Sequence, residues 1–447
     1  MRALTVRAES FAPPHGRLGV SPVRALQWAL LVLILGKVGT IPALDLGDRV
    51  APILLNDLAV AVVVGVAAVA MMQSRSLRLN DVAMAGLVFA CIGGLATLAG
   101  VQRFGLSALE VAGSLAYLAR WLLYFALYIV VINCMRASDA ETVWLALERA
   151  MLVIVVFGIF QAIFLPNFAF MLYPDARPGI DFDAQRHRLV STVLEPNIAA
   201  GMIGCVLLVQ LARLAAGARE PLWKPLVMFG GLMATLSRGG MLAFAAGCAM
   251  LVALKGPNKR LLKFAAIIGT LLLPAVPFLI QFAAQYTRFS VTDESAMMRV
   301  IAWSRAIQTF LDYPWFGIGF NTYGFVQDRR GFERLGNAAY SVEGGLLFVA
   351  VLTGVVGLCV YCGMLWFALR RARAGWRLSA ATPSERGLLI GTAVATVAVL
   401  VDSIFVNSLM TPWVMEPVWI LWGLSFLVAT EVRRRSRADM QAHEPTP

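Results

Sequence analysis

Apolar residues run along this chain in blocks of about 20, the length that carries an α-helix across a bilayer. Twelve blocks stand out: 25–44, 51–72, 81–101, 108–133, 150–170, 191–212, 225–236, 239–254, 264–284, 342–369, 387–406 and 413–430. Each is expected to be a transmembrane helix. The seventh and eighth are short and parted only by Ser237 and Arg238. Most connections are short, but 171–190 and 285–341 are long. The first block follows a basic, polar stretch with no small-residue cleavage pattern after it, and reads as a retained span.

The composition agrees. Apolar residues make up 59% of the 447 and charged residues only 14%, against roughly half and a quarter in soluble domains. The net charge of +12 would raise nucleic acid in a soluble protein. Here it reports topology. With the N-terminus placed in the cytoplasm, about two-thirds of the Lys and Arg fall in cytoplasmic segments, as positive-inside sorting requires. The expected organisation is a cytoplasmic tail (1–24), five helices (25–170), a periplasmic loop (171–190), four helices (191–284), a large periplasmic loop (285–341), three helices (342–430) and a basic cytoplasmic tail (431–447). The six Cys lie in or beside apolar runs, where Cys behaves as a small hydrophobe, and the pair Cys359 and Cys362 has no second pair of ligands nearby. Neither a metal nor another cofactor is expected.

The informative residues are the arginines that oppose this sorting. They gather in the two long outer loops and at the outer end of one helix pair. An arginine's planar fork suits phosphate, and snorkelling to the headgroups is the alternative for any single one. Four stretches carry candidate chemistry. In R-H-R-L-V-S-T-V-L-E-P-N, Arg186, His187 and Arg188 precede the sixth block. Glu195, Pro196 and Asn197 fall in its first turns, where an acid at membrane depth needs a reason and a proline would kink the helix. In T-L-S-R-G-G, Arg238 sits between two blocks before glycines that permit close approach, or is a turn arginine among headgroups. In the long loop, Thr292 or Asp293 could cap a helix from Glu294 to about Asp312, with Pro314 past its end. Ser304, Arg305, Gln308 and Asp312 share one polar face. Arg299 lies opposite, among Ala302, Trp303, Ala306 and Phe310, a misplaced charge on an apolar face. The run Y-P-W-F-G-I-G-F-N-T-Y-G-F follows, with Trp315, Asn321 and Tyr323. It fits a turn packed on the membrane surface or a platform for sugar rings. In N-A-A-Y-S-V-E-G-G-L-L-F, Glu343 starts the tenth block, as a general base for a hydroxyl or as a carboxylate favoured by the helix dipole. Asp402 and Glu416 are further buried acids, with Arg120 as their possible partner.

Taken in order, R-L-V-S-T-V-L-E-P-N, T-L-S-R-G-G, R-V-I-A-W-S-R-A with Y-P-W-F-G-I-G-F-N-T-Y, and E-G-G-L-L with L-T-G-V-V-G-L resemble the O-antigen ligase / Wzy polymerase superfamily over residues 185–360. The resemblance implies a GT-C-like all-α polytopic fold of about 12 transmembrane helices in the bacterial inner membrane. It implies a metal-independent glycosyltransferase acting at the periplasmic face on an undecaprenyl-diphosphate-linked glycan. Arg188, Arg238 and Arg299 would contact the diphosphate. Arg186, His187, Glu195, Asn197, Arg305, Trp315, Asn321 and Tyr323 are the substrate-binding candidates beside them. Family ligases usually carry a His where this chain has Glu343. That departure favours a polysaccharide polymerase, whose acceptor is another lipid-linked glycan and which could work with a chain-length regulator, over a ligase to lipid A–core. A transporter or flippase would tend to show internal repeats, and no repeat relates the two halves.

Overall fold

The computed structural model describes residues 21–45, 50–75, 77–173, 187–256, 259–272, 294–332, 342 and 344–442, with side chains outside the description at 42–51, 271–272, 294–299 and 442. It is an all-α polytopic membrane protein. Among the described residues, nine helices are long and apolar enough to cross a membrane. Every backbone N–H and C=O in hydrocarbon must find a partner within the protein, and helices meet that demand locally.

The chain opens with a short helix, α1 (Pro22–Leu33), capped by the Ser21 hydroxyl. The expected first span to residue 44 is corrected here. After Leu33 the chain makes a 3₁₀ turn (Gly36–Gly39) and a β-hairpin, β1 (Thr40–Asp45) against β2 (Val50–Leu54). Gly36 has φ +54°, a conformation open chiefly to glycine, and Thr40 and Ile41 then favour extended backbone.

Four long helices follow: α2 (Leu55–Ser74), α3 (Asp81–Phe104), α4 (Ala108–Cys134) and α5 (Ala140–Phe164). The last begins ten residues before the expected fifth block, because charges that hydropathy rejects are paired inside the protein. Glu148 takes hydrogen bonds from Gln210 at 2.9 Å and from Lys224, and Arg213 binds Glu141 at 2.7 Å and Glu220 at 2.6 Å. A short α6 (Phe168–Leu172) ends this half.

The second half holds α7 (Pro196–Ala215), α8 (Trp223–Ala234), α9 (Arg238–Lys255), α10 (Lys259–Leu272), α11 (Glu294–Asp312), α12 (Tyr323–Arg329), α13 (Gly345–Trp376), α14 (Pro383–Asp402) and α15 (Pro412–Ala442). The sixth span starts five residues later than expected, after a 3₁₀ turn at Ser191–Val193. Pro196 therefore does not kink a helix. It occupies the first turn, where its missing N–H costs nothing.

The centre of the bundle is α7, 94% of whose apolar window is enclosed. It packs mainly on α14, with α8, α9 and α15 around it. Small residues make the α7–α14 contact close. A Cβ at Gly391 would lie 2.7 Å from the Val209 Cα, and one at Gly387 would lie 2.5 Å from the Arg213 Cα. Membrane helices associate through such small-residue contacts. On the other side α4 packs on α2 and α15, and α3 packs on α13.

Candidate active site

The starts of α2, α7, α9, α13 and α15 and the ends of α5, α8 and α14 lie at one end of the bundle, together with the hairpin. There the two arginine motifs form one structure. The segment 188–194 is fixed by Gln161, a buried amide near the end of α5. Its carbonyl accepts from Val190 N at 3.0 Å and Ser191 N at 3.1 Å, and its amide donates to the Leu165 and Arg188 carbonyls. His187, Ser191 and Leu194 all have positive φ, so the segment turns sharply and needs this anchor. The segment is then tied to the end of α8. Leu189 N donates to the Ala234 carbonyl and Arg188 Nε to the Thr235 carbonyl, both at 2.9 Å.

The turn Thr235–Ser237 leads into α9, with Arg238 as its first residue and exposed. Ser237 joins the two motifs. Its hydroxyl donates to Asn197 Oδ1 at 2.9 Å and accepts from Gly240 N at 3.2 Å, capping α9. Asn197 in turn donates from Nδ2 to Glu195 Oε1 at 3.1 Å, and Glu195 caps α7. Glu195 and Asn197 thus set the relation between two helix starts, whose dipoles favour negative charge nearby. Arg188 is bonded to one end of the Thr235–Ser237 turn, and Arg238 follows its other end in the chain.

The run from Pro314 to Phe320 docks into a break in α13. Gly354 has φ +66° and ψ −170°, interrupting the helix. Backbone groups freed by the break are taken up by the run. Ile318 N donates to the Val351 carbonyl at 3.1 Å and Gly319 N to the Leu352 carbonyl at 3.0 Å. In return, Val355 N donates to the Pro314 carbonyl at 2.7 Å and Val356 N to the Trp315 carbonyl at 3.3 Å. Phe320 N is held by the Thr97 hydroxyl at 2.8 Å. Side chains could not pass here. A Cβ at Gly317 would lie 2.5 Å from the Val351 oxygen, and one at Gly319 2.8 Å from the Thr97 Cα.

The side chains of this run divide. Trp315 is 68% exposed, whereas Tyr323 is 2% exposed and packs with Ala306, Ile318 and Val326. Burial pushes the Tyr323 hydroxyl up to about 12, against the pull of the Arg305 and Arg330 charges. On α11 the expected face is seen in Ala302 and Ala306, which are buried, while Ser304, Gln308 and Asp312 are exposed. Arg305 departs from that polar face. It is half-buried, with its guanidinium 4.8 Å from the Phe332 ring centroid.

The turn after α14 links the pieces. Gly345 N donates to the Ser403 carbonyl at 2.6 Å. A Cβ at Gly344 would lie 3.7 Å from both the Ile404 carbonyl and the Trp303 Nε1, and one at Gly239 would meet the Phe405 ring. The residue after Arg238 and the residue after 343 therefore border the same turn, Ile404–Phe405. Trp303, one helical turn from Arg299, comes close to the same Gly344. Glu343 and Arg186 lie outside the described residues, as does the side chain of Arg299, whose backbone is helical within α11.

A cavity of about 360 Å³ lies between the hairpin, α4, the docked run and the 407–413 segment. Asn321, held at φ +54°, and Phe320 form part of its wall, with Ile198 from α7 and Arg120 from α4. Arg120 does not pair with Asp402 or Glu416. It binds Asp57 at 2.9 Å and the Pro52 carbonyl. Asp57 also accepts from the Tyr124 hydroxyl at 2.9 Å and Leu54 N at 3.0 Å. Glu416 is bound by Asn56 at 2.6 Å, and Asp402 accepts from Ser408.

Sequence reasoning missed Gln161, Thr235, Ser237 and Asp57. Gln161 and Asp57 had a signal, since each is polar within an apolar block, and such residues are expensive unless they bind something. Ser237 and Thr235 had none beyond standing next to Arg238.

Residues 226–362 match the family model described as O-antigen ligase. The match spans less than half of the chain and supports its place in the O-antigen ligase / Wzy superfamily. It contains Arg238, α11, the docked run and the start of α13, and leaves out Arg188, Glu195 and Asn197. No curated protein matches the chain.

Proposed function

We propose that this member of the O-antigen ligase / Wzy superfamily is a polysaccharide polymerase of the bacterial inner membrane. It transfers a glycan from an undecaprenyl-diphosphate donor to a lipid-linked glycan acceptor at the periplasmic face. The single observation that carries this reading is the tie between the two arginine motifs. Arg188 Nε is anchored on Thr235, three residues before Arg238, so two arginines that oppose positive-inside sorting flank one short turn. Such a pair, with Arg299 one helical turn from the Trp303 that reaches Gly344, suits a diphosphate leaving group. Its charge grows as the glycosidic bond breaks, and preorganised donors aimed at growing charge are usually the largest catalytic term. The sugar carbon acquires oxocarbenium character, and Glu343 takes the proton of the attacking hydroxyl. No metal takes part in this scheme. Arg186, His187, Glu195, Asn197, Arg305, Trp315, Asn321 and Tyr323 are proposed to bind or frame the substrate, Tyr323 by packing against Ile318 of the docked run and Glu195 by capping α7.

The description of the matched family favours a second reading, ligation of the glycan to lipid A–core. An acid where ligases usually carry a His favours the polymerase. Purified protein given the lipid-diphosphate glycan alone separates the two. A polymerase makes longer lipid-linked glycans and releases undecaprenyl diphosphate. A ligase does neither until lipid A–core is added. No turnover under either condition would defeat both readings.

A further inference from the structure

The end of the bundle away from the candidate active site carries a charged surface that the chemistry above does not use. We infer that the start of α3 and the ends of α13 and α15 form a binding site there for the headgroup phosphate of an anionic phospholipid. The proposed orientation puts this end in the cytoplasm, so the lipid belongs to the cytoplasmic leaflet.

Two helices supply the charge. α13 has 32 residues and α15 has 31, whereas about 20 cross the hydrocarbon, so each projects past it at this end. Arg370 and Arg371 lie near the end of α13, and Arg433 and Arg437 in the last three turns of α15. Arg433 is half-buried and feels the charges of Arg371, Arg437 and Arg370. Like charges held together repel, so an anion placed among them is favoured. The acids nearby are engaged. Asp81, the first residue of α3, pairs with Arg371 at 3.2 Å and Arg370 at 4.0 Å. Glu431 binds Arg434 at 2.7 Å, and Glu385 binds Arg435. Arg433 and Arg437 have no acid partner among the described residues.

The level of these arginines suits a lipid. α3 and α13 run antiparallel. Tyr361 packs on Phe89 with ring centroids 5.0 Å apart, and Arg371 meets Asp81 further along both helices. Trp366 falls midway between these contacts on α13, level with Met84 on α3. Trp366 is 61% exposed and Met84 47% exposed. Trp366 and Arg370 are four residues apart, on one face of the helix. Tryptophan marks the membrane–water interface, so Arg370 stands at headgroup height, one turn beyond the indole. Arginine forks take phosphate oxygens bidentately, and basic pockets between helix ends on the cytoplasmic side hold anionic headgroups. A soluble anion engages the arginines alone. A phospholipid engages both parts of the surface: its phosphate takes the forks while its acyl chains continue over Trp366 and Met84.

Thermal unfolding of the full chain, purified in detergent and stripped of lipid, tests this without any assay of turnover. Phosphatidylglycerol should raise the midpoint saturably, as a ligand of the folded state does. Phosphatidylcholine of the same chain length, which has no net charge, should not. The double variant Arg370→Gln with Arg433→Gln should bind phosphatidylglycerol about tenfold or more weakly. Arg219→Gln removes an exposed arginine at the same end, on the turn between α7 and α8, and should leave binding unchanged. Equal weakening by Arg219→Gln assigns the effect to net charge and overturns the site. No saturable shift with phosphatidylglycerol, or an equal shift with phosphatidylcholine, overturns it as well. An equal shift with glycerol phosphate at matched concentration makes this a site for soluble anions and overturns the lipid assignment. Native mass spectrometry reads the folded protein directly: phosphatidylglycerol retained on the wild type and lost from the double variant is the expected result, and equal occupancy of the two overturns the proposal.

Discussion

Gly354 and Trp315 lie backbone against backbone. A Cβ at position 354 would overlap the Trp315 carbonyl and stand 2.5 Å from the Phe316 nitrogen. This contact lets a loop segment close a break in a membrane helix with four hydrogen bonds, which gives partners to the Val351 and Leu352 carbonyls and the Val355 and Val356 N–H groups. It also fixes Phe320 and Asn321 at the cavity wall. Gly354→Ala should therefore act twice, through the positive φ and through the clash with backbone. A core clash costs about 1–3 kcal/mol, and the glycine-only backbone at φ +66°, ψ −170° about 1–3 kcal/mol more. The expected result is a lower thermal midpoint in detergent and faster proteolysis after Pro314. An unchanged midpoint would show that the docking does not hold the loop.

Gln161 makes a different kind of prediction. Its carbonyl satisfies two buried backbone N–H groups of the segment that carries Arg188. Gln161→Leu keeps the volume and removes both partners, at about 1–3 kcal/mol for each unsatisfied group. Membrane insertion should persist while glycan transfer falls, because the segment loses its anchor. Gln161→Glu keeps the acceptor oxygens and should recover a large part of the activity. If Leu and Glu behave alike in transfer assays, the anchor does not govern the arginine.

These two residues also mark what a sequence reader can and cannot see. The helices were legible, because 20-residue apolar blocks have few other uses, and α11 was legible from its cap-to-proline frame. The start of α5 was shifted because charge is buried there in pairs, as with Glu148 against Lys224, and hydropathy counts a paired ion as a free one. The hairpin after α1 was hidden because its residues are as apolar as the helix before it. Arg188 and Arg238 stood out one by one as charges on the wrong side. Their junction did not, because it runs through main-chain carbonyls and a serine 40 residues from its partner asparagine.

The proposed role of Arg188 separates charge from shape. Its Nε is occupied by the Thr235 carbonyl, which orients the guanidinium. Arg188→Lys keeps the charge and loses the fork, so it should bind donor yet lower kcat by roughly 100-fold, the scale of losing one preorganised donor. Arg238→Lys should follow the same pattern, and Arg299→Ala should abolish turnover while leaving the protein inserted. Near-wild-type kcat in Arg188→Lys would assign that side chain to structure.

The Arg120–Asp57 pair decides whether the cavity wall is built by charge or merely contains it. Both side chains are largely enclosed, with relative exposures of 17% and 11%. Asp57 also receives Tyr124 and Leu54 N, so it joins α2, α4 and the hairpin exit at one carboxylate. Removing one member of a buried pair leaves the other uncompensated, at about 3–5 kcal/mol, whereas replacing both with apolar side chains is often near neutral. Asp57→Ala and Arg120→Leu should each destabilise the protein by that order in detergent unfolding. The double variant should recover part of the loss, because no bare charge remains. Strict additivity of the two single variants would mean that the ion pair contributes nothing to the wall.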